Sequence, residues 1–391
     1  MENGQVVIRK RGADRIRRGH LWVYRTDVLR EDAMPGAIVS VQDERGVLLG
    51  KAFFSSKSQI ALRFLTRGRA ADVPINETLF RNRFEAADQL RARLKVDPLF
   101  SRRIYSEGDF LPGLIVDRYN DRLAVQSLIQ ATDKIQPLVS EILHERYQPS
   151  SILFRNDNRV RELEGLELKQ EVIGDPLPEF VNVDEDGKSF ALSLTGGQKT
   201  GSYLDQRDNH RAARRYARGH ALDAFAYAGG FAIQISDVCE RVEAVDISPA
   251  AIEALRSNVV RNGCSNIEAI EANAFDYLRD RHKQGARYDT IILDPPAFAK
   301  NKDNLDAALR GYKEINNRAM RLLRPGGILI TCSCSHHVTE GLFAEMLADA
   351  AKDAGCWARV LERRFQSADH PILLTVPETL YLKCFILEIL Y

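Results

Sequence analysis

The residues of this chain with the most chemistry in them lie between positions 219 and 334. Asp223 closes the run HALD ahead of the loop FAYAGG, and Asp246 closes RVEAVD 23 residues further on. Asp294 closes YDTIILD and is followed at once by Pro295 and Pro296, while Cys332 and Cys334 end the run LITCSCSHH. In a parallel α/β sheet, ligands bind beyond the carboxyl ends of the strands, and each of these residues sits at such an end. An acid on a turn stiffened by two prolines can read the hydrogen-bonding edge of a base. A cysteine thiolate that adds to C6 of a pyrimidine makes C5 enamine-like. C5 can then take a methyl group, and loss of its proton expels the thiolate.

The loop after Asp223 is not G-x-G-x-x-G and lacks the spacing that cradles a pyrophosphate, which disfavours a dinucleotide and an NAD-dependent dehydrogenase. S-adenosyl-L-methionine has no phosphate. Its amino-acid end carries an ammonium and a carboxylate, which suits Asp223 beside the backbone of a loop through Phe225, Tyr227 and Gly229. Asp246 stands where a carboxylate accepts both hydroxyls of a ribose, with Ser248 beside it as a further cofactor contact; capping the helix that starts near Ser248-Pro249 is the competing use of Asp246. Upstream, FALSLTGGQKTGSYLDQRDNH carries Gly196, Gly197 and Gly201 in a turn, with Gln198, Lys199, Asp205, Gln206 and Arg207 close by. This turn leads into a helix, DQRDNHRAARRYA, for which it serves equally as a plain cap. A zinc site is disfavoured, because Cys332, Cys334, His336 and His337 crowd one short segment whereas structural sites use two separated pairs. No metal is expected.

These residues need a frame of alternating strands and helices. The helix AAIEALRSNVVRNG closes at Gly263, NIEAIE is a third strand, and the tail HPILLTVPETLYLKCFILEIL reads as a final antiparallel hairpin at the sheet edge. Ahead of this frame, residues 1–70 read as short strands and turns (VVIRK, AIVSVQD, VLLGKAFF, IALRFL). Residues 76–95 are helical, with Phe80, Phe84, Ala87 and Leu90 on one face. Residues 134–147 give a second helix, and SILFRND and LKQEVIG two strands. At ~150 residues per domain, 391 residues allow two or three domains.

No run of ~18 apolar residues is present, which excludes a membrane span of the usual kind, and the N-terminus lacks a signal-peptide pattern. Six cysteines without a C-x-x-C pair point to a reducing, cytoplasmic setting. Net charge is +1, but residues 1–70 carry 14 Lys/Arg against 7 Asp/Glu, which leaves the remainder near −6. A basic module on a mildly acidic body suits a polyanion such as RNA. Its candidate contacts are Arg15, Arg17, Arg18, His20 and Trp22, since basic groups hold phosphates and aromatic planes stack on unpaired bases; Trp22 and Tyr24 serve equally well as core.

RIRRGHLWVYRTDV, SEGDFLPGLIVDRY, SYLDQR, DAFAYAGGF, DPPAF and SCS together resemble the RlmI-type family of ribosomal RNA large-subunit methyltransferases, and the resemblance spans nearly the whole chain. It implies a small β-barrel PUA domain that binds RNA (residues 1–72), a central α+β domain (73–183) and an α/β, Rossmann-like class I methyltransferase domain with a seven-stranded, mostly parallel sheet (184–391). It also implies cytosine C5 methylation in 23S ribosomal RNA with S-adenosyl-L-methionine, and Cys334 of the Ser-Cys-Ser segment as nucleophile. Thr331-Cys332-Ser333, similar to other RNA cytosine methyltransferases, keeps Cys332 open. By the same resemblance Gln206 and Arg207 touch cofactor or substrate, and Asp294 serves both catalysis and the cofactor. Related enzymes carry an acid where this chain has Asn273, whose oxygen can still accept from the adenine amino group; Ala274 and Phe275 complete that pocket. Relatives include dimers, so a homodimer is in keeping. Methylation of a purine exocyclic amine through DPPAF, of uracil C5, or RNA binding without catalysis are the competing readings.

Overall fold

The structure is a computed structural model that describes residues 2–196, 200–299 and 304–391. Gly197, Gln198 and Lys199 of the polar turn lie outside the described residues. The chain divides into two compact units. The first comprises Met1–Val181, Leu192–Ser202 and Ala368–Thr379; the second comprises Asn182–Ala191, Tyr203–Ser367 and Leu380–Tyr391.

The first unit begins with β1 (Glu2–Ile8), α1 (Lys10–Arg17), β2 (Trp22–Tyr24), β3 (Val28–Ala33), β4 (Ile38–Asp43), β5 (Leu48–Phe54) and β6 (Ile60–Phe64). These strands form one sheet in the order β2-β6-β5-β4-β1-β3, closed over Val6, Ile8, Val39, Val41, Leu62 and Phe64. The helix α1 corrects the reading of this region as strands and turns alone. Gly12, Ala13 and Ile16 are its buried face. Only two of those carry apolar side chains, so the helical period is hidden among arginines.

The unit continues with α2 (Glu77–Arg93), β7 (Phe100–Tyr105), β8 (Leu114–Tyr119), β9 (Arg122–Ser127), α3 (Gln130–Lys134), α4 (Gln136–Tyr147), β10 (Ser151–Asn156) and β11 (Lys169–Gly174). Its sheet runs β11-β10-β9-β8-β7. Asn76 caps α2 by accepting from the Leu79 amide. Phe80, Phe84 and Ala87 pack against Ile104, Val116, Val125 and Phe154, and each buried phenylalanine stabilises the fold by about 1.5–3 kcal/mol. The fully buried residue of the last turn is Arg91 rather than Leu90, which is half-buried. Arg91 binds the Asp109 carboxylate and the Asp369 carbonyl.

The second unit holds all but the outer end residues of the hairpin β12 (Val181–Glu185) and β13 (Lys188–Leu192), then α5 (Arg207–Tyr216), β14 (Gly219–Ala224), α6 (Gly230–Ile235), β15 (Cys239–Asp246), α7 (Pro249–Arg261), β16 (Ile267–Glu271) and α8 (Ala274–Lys283). It ends with β17 (Tyr288–Leu293), α9 (Leu305–Leu322), β18 (Leu323–Ser333), α10 (Glu340–Ala354), β19 (Trp357–Arg364) and β20 (Lys383–Leu390). The seven-stranded sheet runs β16-β15-β14-β17-β18-β20-β19. Its first five strands are parallel, and β20 is antiparallel to both neighbours. Ala221, Leu222, Ile291, Ile292, Leu293, Leu329 and Ile330 have no exposure, as expected of strands covered by helices on both faces.

The tail departs from the expected edge hairpin. HPILLTVPETL forms no strand, and KCFILEIL is inserted between β18 and β19, leaving β19 at the edge. The reason is apolar content: Cys384, Phe385, Ile386, Leu387 and Ile389 are all buried, whereas β19 is largely exposed or half-buried. Among the described residues no helix is long and apolar enough to cross a membrane.

Candidate active site

Strand order reverses between β14 and β17: from β14 the chain builds outward through β15 and β16, then returns to start β17 on the other flank. A crevice beyond such a reversal is where α/β sheets bind ligands. Asp223, Asp246, Asp294 and Cys334 all leave their strands on this side.

Asp223 is 1% exposed. Its Oδ2 accepts from the Ala232 amide of α6 at 3.0 Å, while its Oδ1 is buried with no partner among the described residues. Burial, and then the charge of Asp294, push the Asp223 carboxyl up to about 7. The following loop holds Phe225 at φ 95° and Tyr227 at φ 47°, where non-glycine residues cost about 1–3 kcal/mol each. Tight packing enforces that shape. A Cβ on Gly229 (φ 94°) would lie 2.5 Å from Leu255 Cδ1, and one on Gly230 would lie 2.6 Å from His210 Cε1. The Phe225 and Ala226 amides both donate to the Val245 carbonyl.

Asp246 secures the same loop. Its Oδ2 accepts from the Tyr227 amide and its Oδ1 from the Ser248 amide, each at 2.9 Å. The cap of α7 is Ser248, whose hydroxyl accepts from the Ala251 amide. The carboxylate of Asp246 therefore clamps the loop and does not serve as the helix cap. Asn273 does cap a helix: its Oδ1 accepts from the Phe275 amide at 2.9 Å and the Asp276 amide at 3.4 Å. Asn273 is exposed, Ala274 buried and Phe275 half-buried, with the Phe275 ring 5.8 Å from that of Phe298 in the loop after β17.

Gln206 and Arg207, at the start of α5, are 2% and 6% exposed. The Gln206 side-chain amide donates to Asp294 Oδ1 at 2.9 Å, and its oxygen accepts from Asn209. This joins the head of α5 to the diproline loop. Tyr203 packs edge-on to Tyr227 at 5.2 Å.

The two cysteines part company. Cys332 has no exposure; burial and its hydrogen bond with Cys384 on β20 push its thiol well above the usual value. Cys334 is half-buried, with its Sγ 4.0 Å from the Pro295 carbonyl. Its neighbour Ser335 is buried, and its hydroxyl meets the Ala299 amide at 3.2 Å and the Tyr312 hydroxyl at 3.0 Å.

Two groups here escaped the sequence reading. His210 bonds Glu185 at 2.7 Å, both nearly fully buried. Burial disfavours the charged ring, but the carboxylate outweighs it and raises the histidine. Lys383, at the head of an apolar strand, is 2% exposed; a lysine opening KCFILEIL was the visible signal.

The basic stretch of the first unit is more committed to its own fold than expected. Trp22 Nε1 donates to Glu107 at 2.8 Å, and the Trp22 amide to His20 Nδ1. His20 Nε2 lies 3.0 Å from Glu378, Arg17 pairs with Asp43, and the Arg15 guanidinium sits 4.6 Å over the Tyr24 ring. Arg18 is exposed.

The second unit therefore has the architecture of a class I methyltransferase. A family model described as S-adenosylmethionine-dependent methyltransferase matches residues 165–372, and one described as a PUA-like domain matches residues 6–67. Proteins named ribosomal RNA large subunit methyltransferase I are similar along their whole length. That of Klebsiella pneumoniae is 38% identical, over 97% of this chain and 97% of its own. That of Photobacterium profundum is 39% identical, over 95% of each. The crystal structure of SMU.776 complexed with SAH superposes with a TM-score of 0.85 at 19% identity, covering 98% of this chain and 99% of that one. The chain belongs to the ribosomal RNA large subunit methyltransferase I family. Its cofactor is S-adenosyl-L-methionine, and the buried Asp223 Oδ1, which has no partner among the described residues, is an acceptor of the kind that an ammonium group would fit.

Proposed function

We propose that this protein methylates C5 of a cytosine in 23S ribosomal RNA through a covalent adduct at Cys334. The observation that carries the reading is the contrast at the end of β18. Cys332 is sealed against Cys384, whereas Cys334 is half-exposed beside the backbone of the diproline loop that bears Asp294. The names borne by the relatives support the RNA and the subunit.

Bound S-adenosyl-L-methionine supplies an electrophilic methyl group. Asp223 holds the ammonium, with the backbone of Tyr227 to Gly229 facing the carboxylate. Asp246 takes the ribose hydroxyls with the lone pairs its two amide bonds leave, and Ser248 fixes the helix behind it. Asn273, Ala274 and Phe275 border the adenine, and Gln206 and Arg207 close the polar side. The Cys334 thiolate adds to C6, forming the S–C6 bond and placing the electron pair on C5. C5 takes the methyl group as the methyl–sulfonium bond breaks, leaving S-adenosylhomocysteine; loss of the C5 proton to a base then breaks the S–C6 bond and restores the C5–C6 double bond. Asp294, oriented by Gln206, bonds the N3/N4 edge and distinguishes cytosine. The target base must be unpaired or flipped. Arg18, with Arg15 and Arg17 beside it on α1, gives the RNA a basic footing, while His20 and Trp22 shape that surface from within.

Large-subunit RNA from a strain lacking this gene, incubated with the protein and methyl-labelled cofactor, tests the reading. Label is expected in 5-methylcytidine, lost in Cys334→Ser and retained in Cys332→Ser. Label in a methylated purine, or full activity of Cys334→Ser, would overturn it and move the chemistry to Asp294 and its prolines.

A further inference from the structure

Lys383 opens β20 opposite Ser333, in the register that sets Cys384 against Cys332. It is 2% exposed, and its Nζ donates to the Ser335 carbonyl at 2.7 Å and the Tyr381 carbonyl at 2.8 Å. An ammonium has three protons to give, and among the described residues the third meets no acceptor and no carboxylate pairs with it. Burying a cation without a counter-ion is costly, and an apolar residue would pack this strand without that cost. Burial draws the lysine down to about 8, and the charge of Cys334 draws it the other way.

We propose that Lys383 is a positioning residue for Cys334: its ammonium pins the Ser335 turn and provides the counter-charge that keeps the adjacent cysteine a thiolate. The inference rests on Cys334 being the nucleophile. Around the pair stand Tyr203 ahead of α5 and Tyr312 on α9, both of which sense the charge of Cys334. Asp294 and Asp205 both act on Tyr203, Tyr381 donates to Asp205, and the His336 ring lies 5.7 Å from that of Tyr381. Against two carboxylates on this side of the sheet, a thiolate needs a nearby cation, and Lys383 supplies it through the backbone of the next residue.

The test is the pH profile of iodoacetamide alkylation at Cys334, located by fragment mass spectrometry, in wild type, Lys383→Gln and Lys383→Arg. In Lys383→Gln the thiolate titration is expected to move up by about one pH unit, so that alkylation near pH 7.5 slows about tenfold. Lys383→Arg keeps the charge and should keep the wild-type profile. Methyl transfer in Lys383→Gln should lose kcat in the same proportion, with KM for the cofactor unchanged, and should recover as pH is raised. A Lys383→Gln profile that superposes on wild type, at unchanged melting temperature and cofactor affinity, overturns the proposal. If Lys383→Gln does not fold, Lys383→Arg decides: a profile displaced despite the retained charge overturns it equally. A fully active Cys334→Ser enzyme would instead sink the nucleophile reading, which the alkylation profile does not touch.

Discussion

Replacing Asp223 by Asn should make the cofactor-free protein more stable and the cofactor bind worse. The carboxyl is raised from 3.8 to about 7, by burial first and then by the Asp294 charge. Below pH 3.8 folded and unfolded chains both carry the proton, and there is no penalty. Between pH 3.8 and 7 the unfolded chain ionises while the folded one stays neutral, so stability falls by about 1.4 kcal/mol per pH unit. Above 7 both are ionised and the full penalty, about 4 kcal/mol, is in place. An asparagine keeps an acceptor for the Ala232 amide and removes the penalty. Its stabilising effect should therefore grow by about 3 kcal/mol between about pH 5 and pH 8. Binding runs the other way. An ammonium needs the ionised acid, so wild-type cofactor affinity should rise about tenfold per pH unit up to about 7 and decline again above about 8, where an α-amino group loses its proton. The Asp223→Asn substitution costs a charge-assisted bond of about 1.5–3 kcal/mol, about 10- to 150-fold in Kd. Chemical denaturation without cofactor at about pH 5 and pH 8, with calorimetric titration of S-adenosyl-L-methionine, measures both halves. A variant less stable than wild type at the higher pH that binds the cofactor equally well would refute the reasoning.

Four further substitutions have outcomes set by contacts elsewhere in the structure. Gly229→Ala meets both a left-handed backbone and Leu255, and should cost about 1–3 kcal/mol in thermal denaturation with a matching loss of cofactor affinity. Arg91→Met strands the buried Asp109 carboxylate and should cost about 3–5 kcal/mol; adding Asp109→Asn should recover part of that in the double variant. Arg18→Glu should weaken RNA binding in a filter assay and reduce its salt slope by about one, whereas Trp22→Phe, which loses only the Glu107 bond, should cost about 1 kcal/mol of stability and leave RNA affinity unchanged.

Some of this protein could be read from the order of its residues. Apolar runs ending in Asp223, Asp246 and Asp294 announce parallel strands, because burial on both faces demands unbroken apolar stretches and the sheet's carboxyl edge is where polar residues reappear. Glycines at 229 and 230 announce a tight loop because no side chain fits there. Phe80, Phe84 and Ala87 announce the buried face of α2. Other features are decided by contacts between residues distant in sequence. Helix α1 escaped notice because its buried face is small and surrounded by arginines. Which of two cysteines two positions apart is accessible depends on Cys384, 52 residues beyond Cys332 and brought opposite it by strand register. Trp22 read equally well as a stacking platform or as core, and it is Glu107, 85 positions away, that holds its N–H. The Lys383 proton and the Asp223 oxygen that have no partner among the described residues are likewise products of enclosure. Sequence determines periodicity, turn chemistry and residue type, which are local. Burial, pairing and the charge a group can hold arise only when the chain closes on itself.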